Sequence, residues 1–290
     1  MNMFTKSSLL HLRVPFSFFL MPVFLFAAGS VVTIEWFNFW MAFVAIHLFL
    51  YPASNAYNSY YDRDEGSIGG LKQPPKVTQD LWLLSILFDV SAILLGLLVS
   101  LNFALMLFIY GMISKAYSYD SIRLKKYPII GWLTVGVFQG AFTYLMTVMA
   151  VAPDQDILTL KVLIPAVLSS LLLLGSYPMT QIYQHEEDRS RGDKTISIML
   201  GIRGTFIFTM LFFSLATAGF AWYYLNYFDR RIAAGFAVAL MPVMGYFIKW
   251  AREVWKDQQK ANFESTMLLN IISAVTLNTY FLLVFILNQL

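Results

Sequence analysis

Nine apolar blocks, each about 20 residues long, run through the chain with only short polar joints between them. They lie near 14–34, 36–58, 80–101, 102–119, 129–151, 160–182, 204–226, 231–250 and 266–288. Coiled as a helix at about 1.5 Å per residue, such a block matches the hydrocarbon thickness of a bilayer. Inside the bilayer each backbone N–H and C=O must be satisfied within its own segment, so the blocks have to be helices. Only 13% of the 290 residues are charged, about half the share usual in a water-soluble domain. The expectation is an all-α polytopic membrane protein, a single domain over residues 1–290 with about nine transmembrane helices. The first block reads as a span rather than a cleaved leader, being long and without a small-residue cleavage pattern.

Charge placement gives an independent check on the number of spans. Of the 20 Lys and Arg residues, 17 fall on the N-terminus and alternate joints, and three fall on the opposite side. Lys and Arg concentrate on the cytoplasmic face. The pattern predicts a cytoplasmic N-terminus and an external C-terminus, in the inner (plasma) membrane if the source is bacterial. The longest polar stretches, about 59–79 and 183–203, leave no room for a soluble domain. Residues 249–260 read as an interfacial helix, with Arg252, Glu253, Lys256 and Asp257 in water. The chain has no cysteine, which removes disulfides and thiolate chemistry. It carries no P-loop, dinucleotide glycine fingerprint, serine elbow or zinc pattern. The bases are juxtamembrane, so nucleic-acid binding has no support.

Against this apolar background, one stretch stands out and has a twin. Residues 55–66 read NAYNSYYDRDEG and residues 181–192 read QIYQHEEDRSRG. Both fit amide-x-Tyr-amide-x-x-x-Asp-Arg-x-x-Gly, 126 residues apart (Asn55 against Gln181). Each sits at the cytoplasmic end of an apolar block. On a helix, positions i, i+3 and i+7 share a face, so Asn55, Asn58 and Asp62 form one stripe, and Gln181, Gln184 and Asp188 another. Gly66 and Gly192 would end the two helices. Polar groups in a membrane face a bundle interior or a wet cavity. Two oxygen-rich stripes facing one cavity suit Mg²⁺, a hard cation usually held by one or two carboxylates together with substrate phosphates. Bases follow each copy: Arg63 and Lys72 after the first, Arg189, Arg191 and Lys194 after the second. Acids and bases at one cavity suit a magnesium-bound diphosphate better than a bare cation.

Four further positions have two readings each. Asp89 interrupts the third span, as a functional acid or one bonded to a neighbouring helix. His47 reads as a packing histidine or a ligand. His185 is a proton acceptor or an off-stripe bystander. Tyr117 and Tyr119 orient a substrate or anchor the interface.

NSYYDRDEG resembles the first acidic motif of the UbiA superfamily of intramembrane prenyltransferases, and QHEEDRSRGDKT resembles the second. KAYSYDSIRLKKYPIIG is similar to the family's Tyr-rich loop bearing R-L-K. The resemblance implies a ring of helices around a large central cavity, with a site on the cytoplasmic side and lateral access for membrane lipids. It implies transfer of an isoprenoid from a polyprenyl diphosphate to an aromatic or lipid acceptor. Asp62, Asp188 and Asn58 would hold Mg²⁺ and carry catalysis. Arg63, Arg123, Lys125 and Lys194 would support the phosphate oxygens. Lys72, Arg189, Tyr117, Tyr119, Asn55, Gln181 and Gln184 would complete the substrate site. The chain departs from the pattern at Ser59 and Gln184, where the family often has Asp, and at Gly66, which replaces a third acid. Asp64, Glu65 and Glu187 stand nearby but off the stripes. An amide oxygen carries no charge, so metal affinity should fall. The rival reading is a non-catalytic isoprenoid or lipid carrier of the same fold.

Overall fold

The computed structural model describes residues 4–289, and the chain over that range is all helix and connection. We number the helical rods α1 (Lys6–Phe19 with Met21–Ser30), α2 (Trp36–Asp62), α3 (Asp80–Val99), α4 (Leu101–Ser118), α5 (Pro128–Val151), α6 (Leu160–Thr180), α7 (His185–Ser190), α8 (Ile196–Tyr227), α9 (Arg230–Lys256) and α10 (Phe263–Gln289). Seven rods are long and apolar enough to cross a membrane: α2, α3, α5, α6, α8, α9 and α10. The two halves of α1, bent by 43° at their break, make an eighth if taken as one span. The ninth expected block is also a helix, α4. Its 18 residues include Asn102 and Lys115, which leave it short of the apolar content of the others. The chain is an integral multi-pass membrane protein.

Local sequence explains the joints. Between α3 and α4 the single residue Ser100 is extended, and its hydroxyl accepts the Phe103 N–H at 3.1 Å as an N-cap. Within α8, Gly201 takes φ 70°, a conformation open to glycine, and breaks the rod after its first turn. Residues 249–260 do not form a separate interfacial helix. α9 runs unbroken to Lys256, and only the turn Gln258–Lys260 follows.

The bundle is closed at the end remote from Asp62. Phe26 of α1 stacks on Phe281 of α10 at 4.9 Å and packs on Phe220 of α8 at 5.0 Å and Tyr144 of α5 at 5.4 Å. All four are buried. Small residues let these rods approach: a Cβ on Gly29 would lie 3.3 Å from the Phe285 backbone nitrogen. Leu97, Leu98, Leu211, Leu215 and Met241 point outward and are well exposed, as a lipid-facing surface requires. The unfilled space lies at the other end.

Candidate functional site

A cavity of about 220 Å³ opens at the end where α2, α4 and α6 finish. Asn55, Asn58 and Asp62 of α2 line it, as their helical spacing predicts. Lys125 from the α4–α5 connection and Asp188 of α7 line it from the facing side. Gln181, Gln184 and Tyr117 complete the expected set that reaches the cavity.

The second polar stripe forms differently from the first. α6 ends in the turn Tyr177–Thr180, with Pro178 near its start, and residues 181–184 separate it from the six-residue α7. Gln181, Gln184 and Asp188 therefore do not share one continuous helical face. They reach the cavity because the chain breaks and turns. Their amides are spoken for: Gln181 Nε2 donates to Tyr177 Oη at 3.0 Å, and Gln184 Nε2 to the Ser67 carbonyl at 3.2 Å. Gly192, at φ 78°, closes α7 as expected, its N–H donating to the Arg189 carbonyl at 3.1 Å and the Asp193 N–H to the Asp188 carbonyl at 2.9 Å, whereas Gly66 does not end α2. α2 stops at Asp62 because Arg63 adopts φ 49°, ψ 43°. The described non-glycine residues with such left-handed backbone are Arg13, Arg63 and Arg123. All three border this region, and strain of this kind costs about 1–3 kcal/mol per residue.

Charges from both motif segments interlock. Asp62 is buried, and its carboxylate pairs with Lys125 Nζ. Arg123 Nη2 approaches it at 3.3 Å, while Arg123 also grips Asp193 through Nε at 2.8 Å and Nη2 at 2.9 Å. Arg191 Nη2 reaches Asp64 at 2.5 Å and Glu187 at 2.6 Å. Glu187 Oε1 in turn accepts the Glu65 N–H at 2.9 Å. Asn58 Oδ1 accepts from Ser118 Oγ at 2.7 Å and from Lys125 Nζ at 3.3 Å.

Asp188 is the exception. It is half-buried on the cavity wall and forms no ion pair among the described residues. Burial raises its carboxyl pKa to about 7, the neighbouring Asp193 and Asp62 push the same way, and Lys125 and Arg191 oppose. Burial also raises Asp64, with Asp62 adding to the shift and Arg191 and Lys125 opposing it. A carboxylate facing a cavity without a counter-ion is a place for a cation.

Six expected residues do not line the cavity. Arg63 lies over the Tyr60 ring at 5.9 Å. Lys72 is exposed and pairs with Glu264. Tyr119 is exposed and packs edge-on against Tyr61 at 5.5 Å. Arg189 and Lys194 do not line the cavity, although the Lys194 N–H donates to the Lys126 carbonyl at 3.2 Å. Arg123 stands one layer behind, holding Asp62 and Asp193. The structure adds Arg13, Asp64, Arg191 and Asp193 to the wall. Arg13 is buried and donates to the Gly69 and Asn55 carbonyls, each at 3.2 Å.

The remaining alternatives resolve by contact. Asp89 pairs with Lys115 on the neighbouring rod. His47 is buried among Phe24, Phe43 and Tyr51. His185 turns from the cavity to Ser197 Oγ at 2.8 Å, and burial, helped by Arg189, lowers its pKa to about 4.

An all-helical, multi-pass membrane bundle with a charged, amide-lined cavity at one end defines the class. The UbiA prenyltransferase family model matches residues 16–272, and the chain belongs to that family. The fold is similar to a UbiA homolog from Archaeoglobus fulgidus bound to GPP and Mg²⁺, with TM-score 0.71, 18% identity, and coverage of 97% of this chain and 99% of that one. It is also similar to the apo structure of a UbiA homolog from Aeropyrum pernix K1, with TM-score 0.72, 19% identity, and coverage of 93% and 98%. A digeranylgeranylglyceryl phosphate synthase structure matches at TM-score 0.61 and 18% identity, covering 98% of each chain. No curated protein matches the sequence.

Proposed function

We propose that the protein transfers an isoprenoid chain from a polyprenyl diphosphate to an aromatic or other nucleophilic acceptor within the membrane, assisted by Mg²⁺. The observation that carries this reading is the convergence of the 55–66 and 181–193 segments on one cavity, cross-linked by Arg191 to Asp64 and Asp62. The relative from Archaeoglobus fulgidus binds GPP and Mg²⁺ in a fold of this kind.

The donor set fits a hard cation. It offers only oxygen, from Asp62, Asp188 and the Asn58 amide, and Asp188 pairs with no cation among the described residues. No group of three or more acids or histidines stands at metal-binding separation among the described residues. Mg²⁺ would thus take protein ligands from two sides and fill its shell with water and phosphate oxygens. When bound, the ion would neutralise charge growing on the departing diphosphate.

This chain's own residues do the rest. Lys125 and Arg191 stand at the mouth to donate to phosphate oxygens, and Arg123 fixes Asp62 from behind. The allylic C–O bond breaks, and its electron pair leaves with the diphosphate. The acceptor then supplies the pair for the new bond and gives up a proton. Rings at the wall, Tyr110, Tyr117 and Phe138, face the cavity. They suit an electron-poor allyl group and keep out water that would quench it. We place the mouth on the cytoplasmic side, following the Lys and Arg excess; in a bacterium this would be the inner membrane.

One observation favours a carrier instead: Asp62 and Asp64 are already paired with Lys125 and Arg191. Purified protein with Mg²⁺ and geranyl or geranylgeranyl diphosphate separates the two readings. An enzyme releases diphosphate in proportion to alkylated acceptor. A carrier binds the lipid with no turnover and little dependence on Mg²⁺.

A further inference from the structure

The cavity has a second polar region, and it is uncharged. Going inward from Ser118 along α4, Ser114 and Tyr110 line the wall, the latter about 12 Å deep by helical rise. Gln139 of α5 lines it opposite, with its amide within reach of the Tyr110 hydroxyl. Beyond that mutual approach of Tyr110 and Gln139, the three side chains have no hydrogen-bond partner among the described residues. Their neighbours do: Ser54 Oγ bonds the Leu50 carbonyl at 3.0 Å, and Thr134 Oγ1 the Ile130 carbonyl at 2.8 Å. An amide with bonding capacity left open inside a membrane is costly.

The backbone is bent to put it there. Residues Val137–Phe142 form a π-turn within α5, a feature common at functional sites. The turn is held from α6. A Cβ on Gly140 would meet Ser170 Cα at 2.5 Å, and Ser170 Oγ accepts the Ala141 N–H at 2.9 Å. One extra residue in the turn rotates Gln139 toward the cavity while Gly140 presses on α6.

We propose that Tyr110, Ser114 and Gln139 form the recess that receives the acceptor, and that the acceptor's inner end carries an uncharged hydroxyl or carbonyl. This rests on the prenyl-transfer reading above and extends it to the second substrate. The amide both donates and accepts, so it can match a hydroxyl, and the two hydroxyls can do the same. Of the charged wall residues, Asp62, Asp64, Lys125, Asp188, Arg191 and Asp193 belong to the mouth, and Arg13 is held by the Asn55 and Gly69 carbonyls. Tyr110, Ser114 and Gln139 themselves offer an anionic group no counter-charge. The recess therefore places a neutral electron-rich group facing the diphosphate across the cavity.

Hydroquinone serves as the probe, with geranyl diphosphate and Mg²⁺ and the full chain in detergent. In the reaction a ring carbon bonds to the allylic carbon, the diphosphate leaves with its electron pair, and the ring proton passes to solvent. Gln139→Leu and Tyr110→Phe should each raise the hydroquinone KM about tenfold or more, since a lost buried hydrogen bond costs on the order of 1.4 kcal/mol. The geranyl diphosphate KM should stay within about twofold, which a general loss of folding would not allow. A hydroquinone KM unmoved by both changes, equal rises for both substrates, or wild-type protein that binds the diphosphate yet never alkylates hydroquinone would overturn the assignment and leave a water-filled recess only. If wild-type protein shows no Mg²⁺-dependent binding of geranyl S-thiolodiphosphate, the prenyl-transfer reading itself fails.

Discussion

Arg191 Nη2 lies 2.5 Å from the Asp64 carboxylate, joining two residues 127 positions apart in the chain. The same guanidinium reaches Glu187 at 2.6 Å and Asp62 at 4.0 Å. It is thus the strap between the two halves of the repeated motif, and neighbouring carboxylates raise its pKa against the opposing effect of burial.

Replacing that strap tests whether the halves must be held together. Arg191→Gln keeps length and polarity but removes the charge and the forked contact. Affinity for geranyl S-thiolodiphosphate should fall about 10- to 100-fold, the equivalent of one charge-assisted hydrogen bond. Arg191→Lys should recover only part of it. Titration calorimetry on the three proteins measures this directly, and equal affinities would remove Arg191 from the site.

Asp188 sets a pH dependence. Its folded pKa of about 7 lies above the usual carboxyl value of 3.8, so the fold favours the protonated form. In metal-free protein this contribution to stability is present below about pH 4 and lost as pH rises through about 7. Metal binding runs the other way, because a ligand carboxylate must give up its proton. Apparent Mg²⁺ affinity should rise by up to about tenfold per pH unit as pH approaches 7, then level off. Asp188→Asn should flatten that profile. An unchanged profile in the variant would place the proton elsewhere.

Gly140→Ala tests the π-turn. The new methyl would collide with the backbone of α6 at Ser170, so the rods must part. Overpacking of this kind costs about 1–3 kcal/mol. A lower thermal midpoint in detergent is expected, together with a raised KM for acceptor. A fully stable variant with normal kinetics would mean that the tight contact has no bearing on the cavity.

The sequence made some of this legible. Long apolar runs and the Asn55–Asn58–Asp62 spacing could be read because α2 stays helical through Asp62. The phase is lost where the helix ends. Arg63 turns left-handed, and Asp64, off the stripe in a continued helix, points back to the cavity. Gln181, Gln184 and Asp188 line the cavity, but not through the helical spacing the sequence suggests, since α6 breaks before them. Lys72 and Arg63 looked like phosphate ligands by proximity in the chain, but follow the connection outward to water and to Tyr60. Gln139 gave no signal at all, because a π-turn resets the helical phase on which residue spacing depends.

The central claim is that Asp62 and Asp188, from opposite halves of the repeat, serve one magnesium diphosphate. A double-mutant cycle measures this most directly: binding of geranyl S-thiolodiphosphate with and without Mg²⁺ to wild type, Asp62→Asn, Asp188→Asn and the double variant. Each single change should abolish the Mg²⁺-dependent part of binding, and the double variant should be no worse than either, as for groups acting as one unit. Binding that ignores Mg²⁺, or two losses that simply add, would contradict it.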